Sequence, residues 1–286
     1  MRALTVIVAV LAAGATAPRA PSASTLLEVP PLEWRVGAPG MERATFEIQA
    51  DPNLWHTRVV AVRVDPARFK FRLRGRLRDQ APGWTVDRAP STATLAMNIG
   101  MYTGIAPWGW TVMEGQEVRP PGRGPLSTAI AWDATGRMRW LTPDQIDAAR
   151  ASGDVVEAIQ SYPTLLDADG EVPLALRQDG LGVDVGHRDG RLAIGELDDG
   201  RLLVAITRFY ALGELAPALP IGLTLDEMAV LMRDLGCRRA VSLDGGISAQ
   251  LMVREGERTR IWRGWRAVPF GLVAEPVARS LEPAAP

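Results

Sequence analysis

Apolar and β-branched residues recur in short alternating or continuous runs along most of the chain, and few stretches show the 3.6-residue spacing of a helix. Residues 44–50, 57–64 and 68–74 predict strands of a β-meander. Further strands are predicted at 92–98, 128–133, 191–196, 202–207, 240–243, 249–253 and 268–273. Four Asp-Gly pairs, beginning at Asp169, Asp179, Asp189 and Asp199, tolerate positive φ and read as separate turns. Thr224-Leu225-Asp226-Glu227 forms a capping box, and Leu225, Met228, Ala229, Leu231 and Met232 follow at helical spacing until Gly236 ends the helix. Thr142-Pro143-Asp144-Gln145 opens a second helix that runs to about residue 151. Pro120, Pro121, Gly122 and Gly124 make residues 115–125 a loop. The pattern predicts an α+β fold: strand-rich mixed sheets with two or three helices in a single large domain.

Length and composition narrow the picture. The chain has 286 residues, enough for one large core. Its hydrophobic content of 47% and charged content of 23% exclude a disordered or polytopic membrane protein. Lys+Arg 32 against Asp+Glu 33 leaves a net charge of -1, so no global positive field favours nucleic acid. Met1-Arg2 followed by an apolar run over residues 3–15 and small residues before Pro18 has the layout of a secretory signal peptide. The run is too short for a bilayer span of about 20 residues, so no transmembrane anchor is expected after cleavage. Residues 1–23 are read as the leader and 24–286 as the mature domain, destined for the periplasm or the cell exterior. Cys237 is the one cysteine and reads as a buried apolar thiol.

The densest chemistry follows the capped helix. A buried strand, 239–243, leads into Asp244-Gly245-Gly246-Ile247-Ser248 and then another apolar strand. The glycines allow a sharp turn and close approach of a ligand to main-chain N–H groups, while Asp244 puts a charge where a core strand meets solvent. The same residues also fit a plain hairpin with an Asp-Gly turn. Gly246-Ile247-Ser248-Ala249-Gln250 lacks the second glycine of a serine-hydrolase elbow. His56 and His187 stand in dissimilar settings and suggest no zinc site, and Asp167-Ala168-Asp169-Gly170 lacks the later acidic positions of a calcium loop. Trp108 and Trp110, flanking Gly109, could stack on a sugar ring or belong to the core.

Leu243-Asp244-Gly245-Gly246-Ile247-Ser248, preceded by Gly222-Leu223-Thr224-Leu225, resembles the carboxy-terminal signature of the phosphodiester glycosidase family. Upstream, Met97-Asn98-Ile99-Gly100-Met101-Tyr102, Gln160-Ser161-Tyr162-Pro163 and Arg191-Leu192-Ala193-Ile194-Gly195 resemble its other segments in order, and Arg266-Ala267-Val268-Pro269 its closing arginine and proline. The resemblance spans residues 95–273. Ile247 replaces a third glycine common in the family, and Leu192 a frequent hydroxyl residue.

The resemblance implies an exported hydrolase that cleaves the anomeric C–O bond of a sugar-1-phosphodiester in a cell-envelope or exopolysaccharide substrate. Under it, Arg191 would hold phosphate with help from the N–H groups of Gly245 and Gly246. Asp244 would attack the anomeric carbon or stabilise its charge, and Asn98 and Ser248 would orient substrate groups. No metal, nucleotide or redox cofactor is implied. Each residue also has a plainer reading: Arg191 as a surface partner of Asp189 or Glu196, Asn98 as a turn cap. The alternatives for the whole are a module that binds an envelope glycan or phosphopolymer without turnover, and a transferase that uses an acceptor other than water.

Overall fold

A computed structural model describes residues 29–51, 55–75, 83–104, 106–177, 184–209 and 222–277. Three antiparallel sheets enclose the main core. The largest has the order β1-β2-β3-β15-β14-β16-β13, formed by β1 (Arg35–Ala38), β2 (Met41–Asp51), β3 (Trp55–Val64), β13 (Thr164–Leu166), β14 (Leu192–Leu197), β15 (Leu202–Phe209) and β16 (Cys237–Leu243). A second has the order β11-β10-β12-β8-β9, from β8 (Thr111–Met113), β9 (Gln116–Arg119), β10 (Thr128–Asp133), β11 (Met138–Leu141) and β12 (Val155–Ser161). The third, β18-β17-β5-β19-β4, combines β4 (Phe69–Gly75), β5 (Leu95–Asn98), β17 (Leu251–Glu255), β18 (Arg258–Trp262) and β19 (Phe270–Pro276). A small ribbon pairs β6 (Tyr102–Thr103) with β7 (Ala106–Pro107).

The large sheet is buried on both faces, which explains its continuous apolar runs. Val60, Val62 and Val64 of β3 join the core shared with the other sheets, while Val59 and Ala61 face the opposite side. There α2 (Leu225–Asp234) lays down Leu225, Met228, Leu231 and Met232. Its capping box forms as the sequence requires: Thr224 Oγ accepts from Glu227 N at 3.2 Å, and Glu227 Oε2 accepts from Thr224 N at 2.9 Å. On the second sheet, α1 (Pro143–Ser152) buries Ile146 and Ala149 against its outer face. Trp84 and Val86 cover the outer face of the third. No helix among the described residues is long and apolar enough to cross a membrane.

The expectation of mixed sheets is corrected, because every described strand pairing in the three sheets and the ribbon is antiparallel, and the two α-helices leave the fold mostly β. The loop expected over 115–125 begins later, since residues 116–119 pair as β9. Asp169-Gly170 and Asp199-Gly200 do lie in turns, with Gly170 and Gly200 at positive φ. Asp179-Gly180 falls outside the described residues. Asp189-Gly190 is no hairpin turn, because Asp189 is bridged to Leu223. Cys237 is buried, and burial pushes its thiol up to about 12.

The three sheets are also joined by buried polar groups. β4 is the free edge of its sheet, and its Leu73 N–H donates to Glu157 Oε2 of β12 at 3.2 Å. Glu157 is 4% exposed, and burial pushes its carboxyl up to about 7. Native protein therefore holds a proton here that the unfolded chain releases near 4.5. The stability from this group is full below that value and is lost as pH rises through about 7. Glu157→Gln should remove this dependence. Relative to the variant, the wild type should lose roughly 2 kcal/mol between about pH 5 and about pH 8, read by urea unfolding; parallel curves would contradict it.

Candidate active site

β16 ends at Leu243, which pairs with Leu192 at the start of β14. In an antiparallel pair the chain leaving one strand runs beside the chain entering the other. Asp244, Gly245 and Gly246 consequently meet Arg191, Gly190 and Asp189. Gly246 N donates to Gly190 O at 2.6 Å. A Cβ on Gly245 would stand 2.5 Å from that oxygen, and one on Gly246 would stand 2.4 Å from Asp189 Oδ2. Gly246 also holds φ at 54°. Glycine is required at both positions by close approach of protein to protein. The expectation that both N–H groups serve an anion is corrected for Gly246, whose donor is taken.

Asn98 secures the loop from the opposite side. It is fully buried at the end of β5, where Nδ2 donates to Asp244 O at 2.7 Å and Oδ1 accepts from Gln250 N at 2.9 Å. Asp244 N donates to Gly100 O at 2.8 Å. Asn98 is thus an internal clamp on the Asp244 backbone; both ends of its amide are occupied, and its expected contact with substrate is corrected.

These contacts border a cavity of about 330 Å³ whose lining includes Asp244, Gly245, Gly246, Ser248, Asp189 and Arg266. Ser248 and Asp244, four residues apart, both line it. Burial holds Asp244 above the usual aspartate range and the neighbouring Asp189 charge adds to the rise, while Ser248 and Arg266 pull it down. Arg266 is exposed and, among the described residues, forms no ion pair within 4.0 Å. The Trp265 and Arg266 amides both donate to Ile247 O, at 2.7 and 3.0 Å, which fixes that segment at the cavity lip. Tyr102 also lines the cavity, its hydroxyl bonded to the carbonyls of Ile99 and Phe270. Burial, then the charge of Asp244, hold its phenol well above the usual range.

Arg191 lies elsewhere. Its Nε donates to Leu223 O at 2.8 Å and Nη2 to His187 O, and its guanidinium is absent from the cavity lining. Burial lowers its pKa, offset in part by Asp189, Asp184 and Glu227. The expected pairing of Arg191 with Asp244 around one ligand is corrected: Arg191 ties the 187–191 segment to the entrance of α2. Arg188 does the same, with Nη1 and Nη2 each 2.8 Å from a Glu227 carboxylate oxygen. The arginine that reaches the cavity is Arg266.

Sequence reasoning overlooked Asp189 because an Asp-Gly pair resembles an ordinary turn, and of His187 it said only that no zinc site is suggested. Both line the cavity, with His187 Nε2 4.0 Å from Asp189 Oδ2. Trp110 belongs to the core at 1% exposure, with Nε1 donating to Glu117 Oε2 at 2.9 Å. Trp108 packs on Tyr162, ring centres 4.4 Å apart. Among the described residues no three His, Cys, Asp or Glu side chains gather to hold a metal ion. A wider depression of about 680 Å³ is lined in part by Glu196, whose carboxylate is already held by Arg238 and Arg239 at 3.0 and 2.8 Å.

A family model described as phosphodiester glycosidase matches residues 91–275. The chain is similar in structure to the catalytic domain of zebrafish N-acetylglucosamine-1-phosphodiester alpha-N-acetylglucosaminidase, auto-inhibited by its pro-peptide. That match has a TM-score of 0.63 and 17% identity, covering 85% of this chain and 86% of that one. It is also similar to a hypothetical protein from Synechocystis, with a TM-score of 0.61 and 15% identity over 87% of this chain and 64% of that one. No curated protein matches the chain.

Replacing Asn98 tests the clamp. Asn98→Ala leaves the Gln250 N–H without its side-chain acceptor and should cost about 1–3 kcal/mol in denaturant unfolding; a variant as stable as wild type would show that the clamp carries no load.

Proposed function

The chain belongs to the phosphodiester glycosidase family, and on that footing we propose that it hydrolyses the bond between the anomeric carbon of a sugar and a phosphodiester. The observation that carries the reading is the presence of Asp244, Asp189, Ser248 and Arg266 around one cavity. Arg266 has donors free for phosphate oxygens at the lip. The sugar ring would lie inward of it, with its anomeric carbon toward Asp244.

Rupture of the anomeric C–O bond sends the electron pair to the phosphate oxygen, which departs as a phosphomonoester, and positive charge grows on the ring. Ionised Asp244 answers that charge, as a nucleophile or by taking a proton from the attacking water. The Ser248 hydroxyl lowers the proton affinity of that carboxylate and so favours its ionised form. The departing group has a second pKa of about 6 and so needs little protonation. Burial holds the Asp244 proton affinity high, and Asp189, a second carboxylate, adds its negative charge to that rise. The leader-like residues 1–23 support an exported enzyme acting on cell-envelope or exopolysaccharide phosphodiesters.

Methyl esters of N-acetylglucosamine-, glucose- and mannose-1-phosphate test the reaction. Wild type should release free sugar from at least one, and Asp244→Asn should lower kcat by at least about 100-fold with its fold intact by circular dichroism. A wild type that releases none, or an Asp244→Asn variant with full turnover, would sink the proposal. The pH profile supplies a second check. Catalysis needs ionised Asp244, so activity falls as pH drops through its raised pKa. Asp189→Asn removes a like charge and should move that acidic limb to lower pH; a limb that stays in place would show that the two carboxylates are not coupled.

A further inference from the structure

At the far end of β14 from the cavity, all three sheets contribute to the wider depression of about 680 Å³. Phe69 and Lys70 reach it from the start of β4, residues 134–137 from the turn between β10 and β11, and Glu196 and Gly200 from the end of β14 and the turn into β15. Leu192, at the cavity end of β14, and Glu196, at this end, are four residues or about 13 Å apart along the strand. No residue lines both hollows. The walls are fixed by their own hydrogen bonds: Asp133 Oδ1 accepts from Thr135 N at 2.9 Å and Arg137 N at 3.0 Å, and Val277 N donates to Arg68 O at 2.9 Å. Lys70, the one lysine of the chain, and Arg137 are exposed, and among the described residues neither forms an ion pair within 4.0 Å. Glu275, across the ladder from Lys70, is engaged by Arg72, Arg74 and Thr92. Glu196, the one acid of the lining, is neutralised by Arg238 and Arg239. The depression therefore concentrates positive charge in a chain whose net charge is -1, and Met138 and Val277 give it an apolar side.

We propose that this depression is a second binding site, for a phosphorylated sugar, with the phosphate held by Lys70 and Arg137 and the ring laid over the apolar side. Charge selects the head group. A phosphate monoester carries close to two negative charges at pH 7 and three acceptor oxygens, which answers two cations; a carboxylate answers only one. Size selects the body. A depression of about 680 Å³ lies in the range of organic-ligand pockets, and a bare phosphate would leave Met138 and Val277 uncovered. A pyranose puts C–H groups on those two residues and keeps its hydroxyls in the open mouth. An alkyl chain is less well served, since each methylene gains about 0.8 kcal/mol only when removed from water and the apolar side is small. Lys70 and Arg137 take no part in the hydrolysis proposed above, so the site holds or fails independently of it.

The single lysine supplies a reporter. Reductive methylation with isotope-labelled formaldehyde marks Lys70 and the chain's amino terminus while keeping their charge, and Lys70→Arg identifies the Lys70 resonance by removing it. The 6-phosphates of glucose, mannose and N-acetylglucosamine are titrated into the labelled protein beside inorganic phosphate, glucuronate and glucose. At least one sugar phosphate should shift the Lys70 resonance saturably, with a Kd about tenfold below those of inorganic phosphate and glucuronate, and glucose should leave it in place. Arg137→Ala should raise that Kd about tenfold, whereas Arg266→Ala, at the other cavity, should not change it. Calorimetry on unlabelled wild type and Lys70→Ala should show the same loss. A Lys70 resonance that answers none of the three sugar phosphates overturns the site, as does a Kd unmoved by Arg137→Ala. A Kd matched by inorganic phosphate or glucuronate overturns the phosphorylated sugar as the ligand.

Discussion

Gly246 and Gly190 meet main chain to main chain, and a methyl group on Gly245 or Gly246 would collide with the Asp189–Gly190 segment at about 2.5 Å or less. Everything around the cavity depends on that approach. It brings Asp189 beside Asp244 although 54 residues of chain separate them. The antiparallel register of β14 and β16 delivers the two segments side by side, and the missing side chains let them close. Asn98 and Gly100 then pin the Asp244 backbone from the third sheet, so the carboxylate stands where two sheet ends converge.

Charge is divided between construction and chemistry. Arg188 and Arg191 are spent on Glu227 and on the carbonyls of Gly222, Leu223 and His187, which fastens the strand entrance to the start of α2. Arg208 likewise holds the carbonyls of Ala249 and Arg263. Arg266 alone among these lines the cavity. An arginine with its donors bound to carbonyls makes a rigid scaffold, whereas one at a solvated lip can exchange water for phosphate at small cost. The two carboxylates share a partly dry site, and their mutual repulsion is tempered by Ser248 and Arg266.

Much of this was legible in the linear pattern. The capping box at Thr224 and the Thr142-Pro143 helix start located both α-helices, and the runs at 57–64 and 202–207 located neighbouring strands of the largest sheet. β12 escaped notice because Glu157 and Gln160 interrupt its apolar run. Both are buried and satisfied by distant groups: Glu157 by the Leu73 amide, Gln160 by Trp110, Gly122 and Ser127. Short edge pieces such as β9 and β18 carry mostly exposed residues and so lack a strong alternation.

The same distinction runs through the site. Residue order alone determined that Asp244, two glycines and Ser248 would share one turn after a core strand, since each of those properties is local. Tertiary structure decided that Asp189 completes the cavity, that Arg266 and not Arg191 reaches it, and that Asn98 faces inward. The reason is geometric: periodicity records whether a side chain is buried, while its neighbours across a sheet are set by strand order and register between segments far apart in the chain.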